Sequence, residues 1–94
     1  MVRDIKCASE LWQLITSGRK VVVHFLKPHA EPCQRFTPKF DAFSKDHEEI
    51  EFVAVDIELL PDVARGVEIE AIPTVKGFHG GAMDDLEYLV ERFD

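Results

Sequence analysis

A single cysteine stands close to a histidine and a proline in a short polar segment of the sequence. The segment reads HAEPC over residues 29–33, and it follows the apolar run VVVHFL over residues 21–26. A thiol reacts as its thiolate, which nearby positive charge and a helix N-terminus both favour. A redox pair would need a second cysteine three residues before Cys33, and Ala30 occupies that position. The segment therefore offers a lone thiol rather than a dithiol.

The neighbours of Cys33 leave its chemistry open. His29 and His24 can each act as a proton acceptor or a positive neighbour, whereas the carboxylate of Glu31 opposes a thiolate. The alternative is a semi-buried cysteine that only packs, because free cysteine is often buried. A histidine in an apolar strand is likewise more often a satisfied core residue than a base. As metal ligands, His29, His79 and Cys33 lack a fourth partner and the spacing of a zinc or iron–sulfur motif, so we expect neither a metal nor another cofactor.

Composition limits the kinds of partner. The chain has 94 residues, 46% of them hydrophobic and 31% charged, which suits one globular domain over residues 1–94. Its formal net charge is −7, so we expect neither nucleic acid nor an anionic membrane surface as a partner. The opening residues contain no apolar leader, and no apolar run approaches the roughly 20 residues that cross a bilayer. The cysteines form no disulfide framework, so we expect a cytoplasmic, reducing location.

Apolar periodicity predicts strands that alternate with helices. Continuous apolar runs predict strands, a spacing of about 3.6 residues predicts helices, and glycine and proline mark the breaks. The predicted strands are residues 2–5, 21–26, 51–57 and 75–79, and the predicted helices are residues 8–17, the segment of Phe36, Phe40 and Phe43, residues 60–65 and residues 83–93. Pro38 falls inside the second helix and should kink it. This order predicts an α/β protein with an open sheet.

The order of these segments resembles the thioredoxin fold over nearly the whole chain. The apolar strand leads into a loop that ends in x-x-Pro-Cys, the helix that follows contains an internal proline, and the tripeptide Ile72-Pro73-Thr74 comes later. The resemblance implies a thioredoxin-like three-layer α/β/α fold with a central mixed sheet. It also implies that Pro73 is a cis-proline that faces the position of the active-site thiols.

The resemblance also implies roles for the site residues. In the thioredoxin motif W-C-G-P-C the first cysteine is the nucleophile, and this chain has Ala30 in its place. Cys33 matches the resolving cysteine, and His24 stands where thioredoxins carry a buried acid. A dithiol–disulfide cycle needs two sulfur atoms close enough to bond. Cys7 precedes the first predicted helix and is not expected at the site, so the chain should be unable to run the ordinary dithiol reaction.

Three functions are consistent with such a site. The first is a protein-binding module for redox homeostasis, without dithiol activity. The second is an enzyme, a thiol–disulfide oxidoreductase of monothiol type in which Cys33 forms mixed disulfides or exchanges with glutathione. The third is a dithiol thioredoxin whose nucleophilic cysteine was replaced at Ala30. The groove that would contact a protein partner consists of His29, Glu31, Pro32, Ile72, Pro73 and Thr74, next to Ala30 and Cys33.

Two subgroups of the family resemble this chain most in the site segment. The A-E-P-C sequence is most similar to the thioredoxin-like domain of multidomain monothiol glutaredoxins, in which Ala commonly replaces the first cysteine. Phosducin-like and related thioredoxin-domain proteins are the second choice, because they also have a His-Phe strand and one cysteine at this position. Those domains are thought to serve as targeting or interaction modules, but this chain has no C-G-F-S motif, so the similarity does not extend to that function.

The segment after Pro73 looks one strand short of the thioredoxin pattern. Thioredoxins place an antiparallel hairpin there, whereas residues 74–81 alone separate Pro73 from the last helical region. At about 3.3 Å per residue, two strands and a turn hardly fit in this segment, so we expect a single strand over residues 75–79. Such a strand would leave an unpaired sheet edge, through which the chain would form a homodimer. The alternative is a locally irregular segment in a monomer.

Overall fold

A five-stranded mixed sheet organises the chain. The computed structural model describes residues 2–79 and 82–84. The strands are β1 (Val2–Asp4), β2 (Lys20–Leu26), β3 (Glu51–Asp56), β4 (Thr74–His79) and β5 (Ala82–Asp84), and the helices are α1 (Ala8–Ile15), α2 (Glu31–Lys45) and α3 (Pro61–Gly66). The predicted thioredoxin-like α/β fold is confirmed. Within the described residues, no helix has the length and hydropathy needed to span a bilayer.

Strand β2 lies at the centre of the sheet. The strand order is β1-β3-β2-β4-β5, with β1, β3 and β2 parallel to one another and β4 antiparallel to β2. Parallel neighbours require crossover connections, which α1 and α2 supply. The carboxyl ends of the three parallel strands therefore meet at one edge of the sheet. The loop that carries the HAEPC segment leaves β2 at that edge.

The two faces of the sheet carry separate cores because successive strand residues point to opposite faces. On one face Val23 of β2 packs with Leu11 of α1 and Val63 of α3. On the other face Val22 packs with Phe40 of α2. Helices on both faces give the three layers, and they explain why β2 is buried on both faces and apolar from Val21 to Phe25 apart from His24.

The ends of the first two helices follow from local chemistry. Helix α1 ends at Ile15, two residues before the predicted end, and Thr16 caps it by donating from Oγ1 to the Trp12 carbonyl oxygen at 2.8 Å. Gly18 then takes a φ of 87°, which only glycine adopts readily. Helix α2 continues through Pro38 as one element over residues 31–45.

The prediction of a missing strand is wrong. Strand β5 pairs antiparallel with β4, and Phe78 and Met83 are partners in that register. The hairpin fits because β5 has three residues and begins at Ala82, inside the stretch that the sequence assigned to the last helix and its approach. The predicted bare edge beside β4 is therefore covered, and the reason for a homodimer through that edge disappears. The rest of the predicted last helix, residues 85–93, lies outside the described residues.

Candidate functional site

The first turn of α2 contains the segment that the sequence singled out. Ala30 is the N-cap residue, with φ −77° and ψ 126°, and it makes no side-chain cap hydrogen bond. Its carbonyl oxygen accepts from the backbone N–H of Gln34 at 3.0 Å. Glu31 is exposed and accepts from Nη1 of Arg35 at 2.9 Å. An aspartate or serine would cap this helix better, so Ala30 contributes backbone geometry alone.

Cys33 lies one turn inside the helix and is fully buried, with a relative exposure of 0%. Its carbonyl oxygen accepts from the Oγ1 of Thr37 at 2.8 Å. Both cysteines of the chain are free thiols, and Cys7 is the exposed one. The burial of Cys33 agrees with the packing alternative and removes the thiol from direct contact with solvent.

The cis-proline lies at the same edge of the sheet as this turn. The Ile72–Pro73 peptide bond is cis. Thr74 pairs with Phe25 near the end of β2, so Pro73 is level with the point where the chain leaves β2 for the HAEPC loop. The structure thus brings the two predicted halves of the groove to one edge. Across this edge His29, Glu31 and Pro32 are exposed, and Ala30, Ile72, Pro73 and Thr74 are partly exposed.

His24 is buried in the core beneath α2, with a relative exposure of 1%. Its ring centroid lies 4.8 Å from that of Phe36 and 5.2 Å from that of Phe40. Burial lowers the pKa of His24 from 6.5 to about 4, so the imidazole is neutral at neutral pH. Its Nε2 atom is buried and has no hydrogen-bond partner in the part of the chain that the structure describes. His24 is therefore a core residue rather than an accessible base. Its hydrogen-bonding capacity is only partly satisfied by the described residues.

His79 and Cys7 lie apart from the predicted site. His79 pairs with Lys20 at the start of β2, which is the opposite end of that strand from the HAEPC loop. Residues 2–79 and 82–84 contain no group of three or more potential metal ligands. Cys7 precedes α1, and its sulfur lies 3.3 Å from the Ser9 hydroxyl oxygen. The hydrogen bond between these two groups is the largest of the effects that lower the pKa of the Cys7 thiol. No role is predicted for Cys7 from the sequence, although its position just before a predicted helix favours a reactive thiolate.

Comparisons with known proteins now identify the family. The family model described as Thioredoxin matches residues 5–91. This chain belongs to the thioredoxin family. Thioredoxin-1 of Saccharomyces cerevisiae is 35% identical over 81 residues, covering 86% of this chain and 79% of the relative. The solved structure of Plasmodium falciparum thioredoxin aligns with a TM-score of 0.87 at 24% identity, covering 98% of this chain and 99% of the other, which supports the fold.

The predicted preference for the monothiol glutaredoxin subgroup finds little support. Monothiol glutaredoxin-4 of Schizosaccharomyces pombe is 25% identical over 79 residues, which cover 82% of this chain and 32% of that protein. The yeast thioredoxin is more similar over a comparable length. The A-E-P-C segment favours the glutaredoxins over four residues only. Similarity over the rest of the chain favours the thioredoxins.

Proposed function

We propose that this thioredoxin-family chain binds protein segments at the groove beside its cis-proline and does not itself run dithiol–disulfide exchange. The observation that carries the proposal is the first turn of α2, where Ala30 takes the N-cap position and the lone thiol of Cys33 is fully buried. Exchange begins with attack by an accessible thiolate and ends with a second sulfur that closes the disulfide. The N-cap position supplies no sulfur for the attack.

The groove retains what recognition of an extended peptide needs. Pro73 has no backbone N–H, and it is partly exposed beside the partly exposed Ile72 and Thr74. Extended segments dock on exposed backbone through main-chain hydrogen bonds and side-chain contacts. Opposite them, the exposed His29 and Glu31 can select a partner by charge. We further propose a cytoplasmic, reducing setting, which is supported by two free cysteines.

Insulin reduction tests the catalytic half of the proposal. The chain should give the background rate with dithiothreitol, and Ala30→Cys should raise the rate at least about tenfold. Ala30→Cys creates the Cys-X-X-Cys spacing at the start of a helix, at which redox disulfides form. The double variant Ala30→Cys/Cys33→Ser is the matched control and should lose sustained turnover. Turnover by the unaltered chain that Cys33→Ser abolishes would instead establish the monothiol oxidoreductase.

A pair of charge reversals tests the binding half. Glu31 and Asp62 are both exposed acids in the first turn of a helix, and each pairs with an arginine one turn later. Glu31→Arg and Asp62→Arg should therefore lower the free energy of unfolding by similar amounts. Each variant loses one surface ion pair and one favourable interaction of a carboxylate with the helix dipole. Proteins captured under reducing conditions should be lost with Glu31→Arg and kept with Asp62→Arg. Equal capture by the two variants would place the partner surface elsewhere.

A further inference from the structure

The loop between β2 and α2 is a tight turn. The backbone N–H of Ala30 donates to the Lys27 carbonyl oxygen at 3.0 Å, which closes a four-residue turn. Pro28 takes the second position of this turn, which proline favours because its ring fixes φ near about −65°. His29 takes the third position, and it is not among the described residues with a positive φ. The turn is therefore of type I, since type II requires a positive φ at that position.

Gln34 restrains the middle of this turn from inside α2. Its Nε2 atom donates to the Pro28 carbonyl oxygen at 3.2 Å. Its backbone N–H donates to the Ala30 carbonyl oxygen at 3.0 Å. The second of these bonds is the ordinary first bond of a helix, whereas the first one reaches beyond the helix into the loop. One residue of α2 thus holds two peptide groups of the turn.

The orientation of the Pro28 carbonyl decides what the turn offers to a partner. In a trans peptide the C=O and the N–H that follows it point in opposite directions. The Pro28–His29 peptide is trans, and its carbonyl faces Gln34, so the N–H of His29 faces away from that side chain. His29 is exposed, and its N–H donates to no backbone carbonyl of residues 2–79 or 82–84. The turn therefore presents a backbone donor at the surface.

The same turn forms one wall of the groove beside the cis-proline. Lys27, its first residue, lines a pocket of about 230 Å³ together with Ile72, which precedes Pro73. A turn that opened would move this wall and the His29 donor together. Whatever fixes the turn therefore also fixes the shape of the groove.

We propose that Gln34 is a positioning residue for this groove. Its side-chain amide holds the turn closed, so that the backbone N–H of His29 donates to a main-chain carbonyl of the bound segment. The ligand class is an extended polypeptide segment that is held by its backbone at this point. The inference rests on the proposed function, because it specifies how the same groove holds its partner.

Amide exchange of the full chain tests the restraint. Gln34→Met keeps the length of the side chain and removes the donor, whereas Gln34→Lys keeps a donor. Gln13→Met makes the first change at another exposed glutamine, on α1. Exchange of the Ala30 N–H with solvent, measured by NMR, should become about fivefold faster in Gln34→Met because the turn opens more often. The other two variants should exchange at the rate of the unaltered chain.

Insulin reduction tests the effect on binding. In the Ala30→Cys background, Gln34→Met should raise KM for insulin about fivefold and leave kcat unchanged, because the lost contact is made equally in the ground state and the transition state. Gln34→Lys should restore KM, and Gln13→Met should not change it. A general loss of stability would not separate KM from kcat in this way.

The possible failures are distinguishable. No turnover by Ala30→Cys would contradict the proposed function, and the role of Gln34 in binding would fall with it. Turnover with an unchanged KM in Gln34→Met would overturn the role of Gln34 alone. A KM that stays raised in Gln34→Lys would show that the glutamine does not act as a donor. Unchanged exchange at Ala30 in Gln34→Met would show that the side chain does not hold the turn.

Discussion

The two thiols of this chain differ in a way that their spacing does not reveal. Cys7 is exposed and has a lowered pKa because of its contact with Ser9, whereas Cys33 is fully buried. Any whole-protein thiol assay therefore reports mainly on Cys7. The chemistry of the position that resembles a resolving cysteine can be measured only after Cys7 has been removed.

Alkylation should separate the two thiols. In Cys33→Ser, the remaining Cys7 should react at the rate of an exposed thiol. In Cys7→Ser, the remaining Cys33 should react on the order of 100-fold more slowly, because a buried thiol reacts only after local opening. Mass spectrometry over time measures both rates, and denatured samples provide the reference for full reactivity. Fast labelling of Cys33 in the folded chain would instead support a monothiol oxidoreductase.

His24 should couple folding to pH. Its pKa is about 4 in the folded chain and 6.5 without burial, so the unfolded chain binds more protons between these values. Stability from this residue is therefore complete above about pH 6.5 and is lost as the pH falls towards 4. A shift of this size corresponds to at most about 3 kcal/mol. Urea unfolding at pH 7 and pH 5 should show a steeper loss for the parent than for His24→Gln.

A surface histidine controls for the loss of an imidazole. His47 is partly exposed and its Nδ1 lies 3.5 Å from the Glu49 carboxylate. His47→Gln removes an imidazole from the same chain without emptying the core. If His24→Gln and His47→Gln lose stability in parallel between the two pH values, burial of His24 is not the source of the pH dependence.

At the scale of elements, helix α2 is anchored by an aromatic stripe whose members differ in burial. Phe40 is 1% exposed, and its ring centroid lies 5.5 Å from that of Phe52 on β3 and 5.2 Å from that of His24. Phe43 is partly exposed, and its ring contacts that of His47, which lies just beyond the C-terminal end of α2. The periodic spacing of the phenylalanines predicts the helix and its buried face. It does not show which of the phenylalanines is buried most deeply.

Replacing the phenylalanines of α2 by alanine should show how much each contributes to the free energy of unfolding. Phe40→Ala should cost about 3–5 kcal/mol, because it opens a cavity under α2 that surrounding side chains fill only in part. Phe43→Ala should cost less than about 2 kcal/mol, since part of its surface already faces solvent. The free energy of unfolding from urea titration measures both. A cost for Phe43→Ala equal to that for Phe40→Ala would mean that the end of α2 is buried more deeply than its exposure indicates.

At the scale of the whole molecule, pairing of β5 with β4 changes the expectation for assembly. The expected homodimer depends on an unpaired edge beside β4, and β5 covers that edge. The outer strands of the described sheet, β1 and β5, have three residues each. Short edge strands are poor templates for pairing with another chain.

We therefore expect a monomer. Light scattering at tens of micromolar should give a mass near the 10.7 kDa of one chain. Removing both thiols, by Cys7→Ser with Cys33→Ser, should leave the mass unchanged under reducing conditions. A mass of two chains that persists in this variant would show a noncovalent dimer and would require an interface other than the edge beside β4.

The sequence by itself determined the fold class, the elements of residues 2–79 and the candidate site. Apolar periodicity is a local property, and Ala30, Cys33 and Pro73 occupy recognisable positions along the chain. Tertiary structure alone decided three matters: that β5 takes residues from an apparent helix, that Cys33 rather than Cys7 is buried, and that His24 packs beneath α2 with no partner for its Nε2 among the described residues. These depend on which residues become neighbours across the sheet, and register and burial are set by packing between segments that are distant in sequence.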